Sequence, residues 1–204
     1  EAGRWAYGYN AFRIDITPFI QFGKSNLIEV HLNNVEESSR WYPGGGLYRP
    51  VSVELYGNEN FSTWDTFVRT LKADKQEAEV EVNALLEGKT GKSGKTVIAL
   101  LDEAGEKVAE QIVTGANPEI KTTLKVANPQ LWSPESPYLY QVKLTRYEGK
   151  KVADVQTLKT GIRTISVSKD HGFQLNGVTR KLKGVCLHHD LGPLGAAENK
   201  AALI

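Results

Sequence analysis

The sequence predicts a mainly β protein whose largest part is an immunoglobulin-like β-sandwich, and three observations lead to this. Between residues 59 and 167, short stretches alternate between apolar and polar residues, as half-buried strands do. Turn sequences such as Asp-Glu-Ala-Gly at 102–105 separate these stretches. The same region shows no helical periodicity. Seven or eight short strands in about 100 residues indicate a sandwich of this class.

The composition excludes several classes of function. The 204 residues carry 25 Lys and Arg against 24 Asp and Glu, so there is no basic excess for nucleic acid binding. No apolar run approaches the roughly 20 residues that span a bilayer, so no membrane span is expected. Cys186 is the only cysteine, which excludes an intrachain disulfide, and its apolar neighbours predict a packed thiol. Because the chain starts without Met, we expect a piece of a longer protein.

The first 58 residues predict strands that precede the sandwich. Tyr7–Thr17 is rich in aromatic and β-branched residues and predicts a strand that ends before a proline. Asn26–Leu32 alternates as a half-buried strand does, and its expected partner is the stretch Val51–Leu55. Residues 33–50 connect the two. A connection of this length with several aromatic residues is expected to be functional.

The sandwich strands follow in a regular series. Phe61–Leu71 predicts the first, and strict alternation from Ala78 to Leu86 predicts the second. Further strands are expected at Val97–Leu101 (Val97, Ala99 and Leu101 sharing a face), Glu106–Val113, Ile120–Val126, Tyr138–Leu144, Val152–Leu158 and Ile162–Val167. The cysteine pair of antibody domains is absent, so the likeness is one of architecture.

A glycine-rich stretch, residues 88–96, superficially resembles a phosphate-binding loop. Gly88 precedes Gly94-Lys95-Thr96 by one residue too many, and a strand is expected where the motif requires a helix. The phosphate cradle needs backbone amides at a helix N-terminus. We therefore predict a solvated hairpin loop.

The densest chemistry lies near the C-terminal end. Asp170–Gly177 predicts a hairpin with an Asn-Gly primed turn. Next comes a strand-like apolar run, Leu182–Leu187, followed by His188, His189 and Asp190 and a loop with Gly and Pro. An α/β barrel presents its site residues in this way, at the C-terminal end of a strand. Adjacent strand residues point to opposite faces, which disfavours one metal ion shared by the two imidazoles and favours contact with a substrate.

Two aromatic stretches have different predicted roles. The loop Arg40–Pro50, RWYPGGGLYRP, combines an Arg, stackable rings and Gly-rich backbone, which suits a carbohydrate. For every residue except Arg40, packing is an equally good interpretation: Trp41, Tyr42 and Tyr48 would fill the core and Arg49 would hold a carboxylate. Leu131–Tyr140, LWSPESPYLY, predicts a structural corner, because its two prolines fix the backbone.

Six runs in this order resemble glycoside hydrolase family 2, and its β-galactosidases most. They cover nearly the whole chain: GYNAFRIDIT from Gly8, N-x-I-x-V from Asn26, SRWYPGGGLYRPV from Ser39, LWSPESPYLY from Leu131, GIRT from Gly161, and GFQLNG with KLKGVCLHHDLG from Gly172. The resemblance implies that residues 1–58 end a jelly-roll sugar-binding domain and that 59–167 form the immunoglobulin-like sandwich. Residues 168–204 would be an entrance hairpin and the first strand of a truncated TIM barrel.

The resemblance also implies an activity. Such enzymes are retaining exo-acting β-glycosidases with two catalytic glutamates, which lie beyond the His-rich tip in relatives, so we expect no catalytic residue in this chain and no activity from it alone. It implies a β-galactoside or related glycan as substrate. No cofactor is expected in this chain, and a divalent cation in the whole enzyme is left open. Exposed apolar edges predict a homo-oligomer. The compartment stays undetermined between the periplasm or outside of a bacterium and its cytoplasm.

Substrate-binding residues follow from the matching positions. His188, His189 and Asp190 match the family's His-rich tip, where one His lines the sugar subsite; the resemblance does not decide which. Arg40 lies where the jelly-roll loop of relatives reaches toward the active site, although Ser38 stands where many relatives have Asp or Asn. The alternatives are a β-glucuronidase or β-mannosidase of the same family, or a non-catalytic β-sandwich module for carbohydrate binding or adhesion.

Overall fold

The computed structural model describes residues 1–36, 45–88, 94–186, 191–195, 197 and 199–203. These form two compact units, residues 1–51 with the described part of 188–204, and residues 52–187. The strands are β1 Glu59–Phe61, β2 Phe67–Ala73, β3 Glu77–Gly88, β4 Lys95–Leu101, β5 Lys107–Thr114, β6 Glu119–Ala127, β7 Tyr140–Glu148, β8 Lys151–Thr160, β9 Ile165–Ser168, β10 Gly172–Leu175 and β11 Val178–Thr179. A 3₁₀ turn, Gly192–Leu194, and a short helix, α1 Lys200–Leu203, follow.

Two antiparallel sheets make the predicted immunoglobulin-like sandwich. In the first sheet the long strand β3 is central, with β6 along one edge and β2 and β1 along the other. The second sheet has the order β5-β4-β7-β8. This is a mainly β protein, as the alternation predicted.

The core forms where the inward faces of the two sheets meet. On β3 the alternating residues from Ala78 to Leu86 are all buried, as predicted. On β4 the buried apolar residues are Ile98 and Leu100, while the alternating set Val97, Ala99 and Leu101 is half-buried on the opposite face. Both faces of β4 are apolar, so alternation could not decide between them.

The first predicted sandwich strand is divided in two. Phe61 pairs with Leu86, the Ser62 amide still donates to the Leu85 carbonyl at 2.8 Å, and Phe67 pairs with Asn83, so residues 63–66 bulge out of the ladder. The Ser62 hydroxyl donates to Asp65 Oδ2 at 2.5 Å at this bulge.

The glycine-rich stretch does not close a hairpin, so that prediction is wrong. β3 lies in the first sheet and β4 in the second, and the chain therefore crosses between the sheets here. Residues 89–93 of this connection lie outside the described part of the chain. A strand, β4, follows Gly94 in place of the helix that a phosphate-binding loop needs.

Three predicted strands are absent. Within 1–36 and 45–58 the structure has turns, bends and irregular backbone without a ladder, so Tyr7–Thr17, Asn26–Leu32 and Val51–Leu55 do not pair. Ile28 is 62% exposed and Val53 65% exposed. A ribbon of two strands buries too little apolar surface to be stable without a third layer. The assignment of residues 1–58 to a jelly roll stays a prediction.

The predicted barrel strand is also not formed. Residues 181–186 make no ladder, and Leu182 and Val185 are 76% and 95% exposed. The thiol of Cys186 is exposed, so the prediction that it packs is wrong. A parallel barrel strand is covered by neighbours on both sides, and an apolar run without them has nothing to pack against. Leu187 lies outside the described residues.

The predicted hairpin before this run is confirmed. β9, β10 and β11 form a small antiparallel sheet, with β10 in the middle. Asn176 and Gly177 join β10 to β11 with φ of 51° and 76°, the positive values that a primed turn requires. No helix among the described residues is long and apolar enough to cross a membrane.

Candidate functional site

The four predicted substrate-binding residues, Arg40, His188, His189 and Asp190, lie outside the described residues. Their predicted roles therefore stay predictions. The structure describes residues near them in sequence. These are the residues that follow Arg40 in the first unit and the residues of the second unit that lead toward His188.

After Arg40, the described loop residues form an aromatic cluster with the N-terminal stretch. Tyr48 is half-buried and meets the edge of Tyr9 at a centroid distance of 6.0 Å. The Arg49 guanidinium lies 5.1 Å from the Tyr48 ring centroid, a cation–π distance. Both are packing contacts between side chains of the chain itself. Trp41 and Tyr42 lie outside the described residues.

In the second unit, three of the family-like runs meet at one loop, Leu131–Ser136, which we call the Trp132 loop. The Trp132 amide donates to the Ile162 carbonyl at 2.8 Å. Gly161 lies so close to the indole that a Cβ there would be 2.7 Å from Trp132 Cγ. The Arg163 guanidinium lies over the same indole at 5.3 Å. LWSPESPYLY is therefore a structural corner, as predicted, and it packs against GIRT.

The turn between β10 and β11 is bonded to this corner through one side chain. The Asn176 amide group donates through Nδ2 to the Trp132 carbonyl at 3.0 Å, and its Oδ1 accepts from the Thr164 amide at 2.9 Å. The Asn176 backbone amide donates to the Thr164 carbonyl at 2.9 Å. One residue thus joins GFQLNG to both other runs.

An ion pair makes the next connection. Arg180 Nη1 and Nη2 donate to the two Glu135 oxygens at 2.6 and 2.7 Å, a bidentate arrangement. The hydrogen bonds from Arg180 lower the pKa of the Glu135 carboxyl to about 2. Both side chains reach solvent, so salt screens their attraction.

Tyr140, at the end of the same run, forms the tyrosine corner of an immunoglobulin-like fold. It begins β7, and its hydroxyl accepts from the Gln130 amide at 2.9 Å. Burial raises the pKa of the phenol above its ordinary value. Its ring meets Tyr138 edge-on at 5.0 Å. The sequence predicted a strand and a structural corner at Tyr140 without indicating this hydrogen bond.

A buried ion pair joins the two sheets. Glu59 on β1 and Arg146 on β7 are 3% and 2% exposed, and two hydrogen bonds of 2.9 and 3.0 Å connect them. Arg146 also donates to Thr96 Oγ1 at 3.2 Å. A Cβ at Gly94 would lie 1.8 Å from Arg146 Nη2, so this position must be glycine for the guanidinium to fit. No sequence pattern marked either residue of the pair.

An open cleft of about 350 Å³ lies beside β1 and β8. Its lining residues are Glu54, Leu55, Tyr56, Phe61, Thr63, Asp154, Val155 and Gln156. Asp154 Oδ2 accepts from the Phe61 amide at 2.8 Å, and Thr66 Oγ1 donates to Gln156 Oε1 at 2.5 Å. The Tyr56 hydroxyl donates to Glu54. The two carboxylates of the lining, Glu54 and Asp154, thus accept hydrogen bonds from the protein itself.

The described part of the chain brings no three residues of the His, Cys, Asp and Glu set together in a way that could hold a metal ion. A divalent cation in the whole enzyme, which the sequence left open, stays open.

Comparison with known proteins agrees with the order of the motifs. Residues 61–163 match the family model of glycosyl hydrolases family 2. The chain is 38% identical over 205 residues to the β-galactosidase BoGH2A of Bacteroides ovatus, an alignment that covers 97% of this chain and 24% of that protein. It is 39% identical over 202 residues to a putative β-glucuronidase of Formosa agariphila, covering 98% of this chain and 19% of that protein.

A solved structure agrees as well. The crystal structure of a glycosyl hydrolase family 2 member from Bacteroides cellulosilyticus matches with a TM-score of 0.85 and 38% identity, over 98% of this chain and 29% of that one. The chain spans about a quarter of the length of these relatives. Since the family model covers more than half of it, the chain belongs to glycosyl hydrolase family 2.

Proposed function

We propose that this chain is part of a retaining exo-acting β-glycosidase that hydrolyses terminal β-galactosides. The observation that carries the proposal is the match over 97% of the chain to a protein named β-galactosidase. A similar match to a putative β-glucuronidase makes the uronide the chief competing substrate. Two glutamates about 5 to 5.5 Å apart would perform a retaining reaction, one as acid and base and one as nucleophile.

Within this enzyme, the chain contributes binding residues and no catalytic ones. His188, His189 and Asp190 would line the sugar subsite, and Arg40 would reach it from the jelly-roll loop. Imidazole, carboxylate and guanidinium groups suit the hydroxyls of a sugar, since each makes directed hydrogen bonds. The glutamates would come from residues beyond this chain, as the resemblance implies. The 204-residue chain alone is therefore expected to be inactive.

The test compares substrates on the full-length enzyme. Chromogenic β-galactoside, β-glucuronide and β-mannoside are assayed in parallel, and NMR identifies the anomer released first. We expect the highest kcat/KM on the β-galactoside, with a β-anomer as first product. Preference for the glucuronide would overturn the substrate, an α-anomer would overturn the retaining mechanism, and no hydrolysis of any of the three would overturn the function.

A second candidate function is binding of a carbohydrate without catalysis. It is favoured by the aromatic rings exposed in the first unit, Trp5, Tyr7 and Tyr9, because sugars stack on such rings. Calorimetry of the 204-residue chain with galactose, lactose and longer glycans tests it. Binding by this chain alone would favour a binding module, and no binding would favour a sugar site that needs the rest of the enzyme.

A further inference from the structure

The small β9–β11 sheet is bonded to the sandwich through two side chains, and both bond to the Trp132 loop. Asn176 reaches the Trp132 carbonyl, and Arg180 reaches the Glu135 carboxylate. Arg180 immediately follows β11 and stands at the start of the exposed run 181–186. Both contacts are thus made just before the exposed run begins.

The side chain of Asn176 does more than its turn requires. A primed turn needs positive φ, which glycine adopts more readily than asparagine. Here the amide group makes a hydrogen bond from each of its ends, one to Trp132 and one to Thr164. Glycine at this position would keep the turn and lose both bonds.

Arg180 fixes the next point along the chain. Its backbone amide donates to the Phe173 carbonyl at 3.0 Å, and its guanidinium makes the bidentate pair with Glu135. A bidentate pair fixes orientation as well as distance, which a lysine in the same place could not do. The two contacts hold both the backbone and the side chain of this residue.

The Trp132 loop is a rigid base for both contacts. Ser133 and Ser136 exchange backbone hydrogen bonds of 3.0 and 3.1 Å, and Pro134 and Pro137 restrict the backbone between and after them. The Trp132 amide is bonded to Ile162, whose side chain is fully buried. The contacts therefore lead to the sandwich core rather than to a free loop.

We propose that Asn176 and Arg180 are positioning residues that fix the direction in which the chain leaves the sandwich toward its predicted sugar-contacting segment. This rests on the proposed function for its effect on substrate. The segment begins at His188, eight residues after Arg180, and Arg180 is the last of the contacts described above that hold the chain before it. A change in the direction of the chain at Arg180 therefore displaces what comes after it. A displaced binding group contacts the bound substrate less well, which raises KM more than it lowers kcat.

Kinetics of the full-length enzyme test the effect on substrate. In Asn176→Gly and Arg180→Met we expect KM to rise about tenfold while kcat changes less than about twofold. The double variant that exchanges the charges, Glu135→Arg with Arg180→Glu, is expected to bring KM most of the way back to the wild-type value.

The matched controls are Asn128→Gly, the other asparagine with positive φ, and Lys107→Met, which breaks the exposed pair with Glu110 at 3.0 Å. Both controls keep the KM of the wild type. A wild-type KM in Arg180→Met, together with a lower Tm, would reduce the pair to a structural role and overturn the proposal.

A distance measurement separates this proposal from the proposed function. Spin labels are placed on Cys186 and on Lys125→Cys, both exposed, in full-length protein with its other cysteines replaced. We expect a narrow distance distribution in the wild type, a broad one in Arg180→Met, and a narrow one in Lys107→Met. If the wild type hydrolyses no glycoside but Arg180→Met broadens the distribution, the proposed function fails and the positioning role stands. An equally narrow distribution in Arg180→Met overturns the positioning role, whatever the activity.

Discussion

At the scale of single residues, the Glu59–Arg146 pair is the most demanding interaction of the described chain. Taking both charges out of water costs several kcal/mol for each ion, and good geometry with further hydrogen bonds must offset this. Arg146 has the two bonds to Glu59 and the bond to Thr96, and Gly94 leaves room for its guanidinium. The pair therefore specifies how the sheets face each other more than it stabilises them.

Removing one member of the Glu59–Arg146 pair makes the cost of burying an unpaired charge measurable. Arg146→Met leaves the Glu59 carboxylate buried without its partner, and we expect a loss of about 3–5 kcal/mol in the free energy of unfolding by urea. Glu59→Met with Arg146→Met recovers most of the loss, because no charge is then buried. Lys107→Met breaks an exposed pair and changes stability by less than about 1 kcal/mol. A similar small loss in Arg146→Met would contradict this account.

The Glu135–Arg180 pair predicts a dependence on pH. The folded pKa of Glu135, about 2, lies below its ordinary value of 4.5, so the pair stabilises the fold fully above about pH 4.5. This contribution is lost as pH falls from there through 2. We therefore expect the stability difference between wild type and Glu135→Gln to be constant above pH 5 and to shrink below it. NMR titration of the carboxyl gives the pKa directly, and a value near 4.5 would refute the prediction.

At the scale of elements, alternation predicted the strands that turn one face to the core and the other face away from it. β3 and β6 show one buried and one outer face, so their pattern in the sequence was clear. The break between β1 and β2 was missed because the local sequence stays β-favouring through Phe67, while the bulge depends on Ser62 and Asp65 bonding to each other. Such a contact is invisible to a pattern of period two.

The packing of two runs against each other can be tested at Gly161. Alanine there would bring a Cβ to 2.7 Å from Trp132 Cγ, so the indole or the strand end must shift. We expect a loss of about 1–3 kcal/mol in unfolding free energy. The control is Gly184→Ala, where a Cβ meets nothing within 4 Å. Equal unfolding free energies for Gly161→Ala and Gly184→Ala would contradict this prediction, because the Trp132 loop would then accommodate the added Cβ without strain.

At the scale of the whole molecule, the sequence identified the family and the sandwich but not the long-range contacts. The motifs could be recognised because glycine, proline and tryptophan mark fixed corners, as at Gly161 and Trp132. Asn176 was predicted only as a turn residue, and nothing in the sequence indicated that its side chain reaches Trp132. The strands predicted at Asn26–Leu32 and Leu182–Leu187 have the right pattern but lack covering layers, which local sequence cannot supply.

The exposed apolar residues of those stretches predict self-association. Ile28, Val30 and Leu32 are all exposed and lie close together in sequence, as are Val51, Val53 and Leu55. Patches of this kind drive association at micromolar concentrations and above. We expect the 204-residue chain to sediment as a dimer or larger at about 100 μM and Val30→Lys with Val53→Lys to reduce this. A monomeric wild-type chain at that concentration would contradict the prediction.

The Glu59–Arg146 ion pair between the sheets is also expected to affect the rate of unfolding. Glu59 and Arg146 are 87 residues apart in sequence, and they meet only after the sheets have closed on each other. We expect a contact of such separation to form after the transition state of folding, and its loss then changes the folding rate little and the unfolding rate greatly. If Arg146→Met loses about 3 kcal/mol in this way, its unfolding in stopped-flow experiments is roughly 100-fold faster with unchanged refolding. The charge pair then acts as a barrier to opening, and it determines how long a sandwich survives once formed.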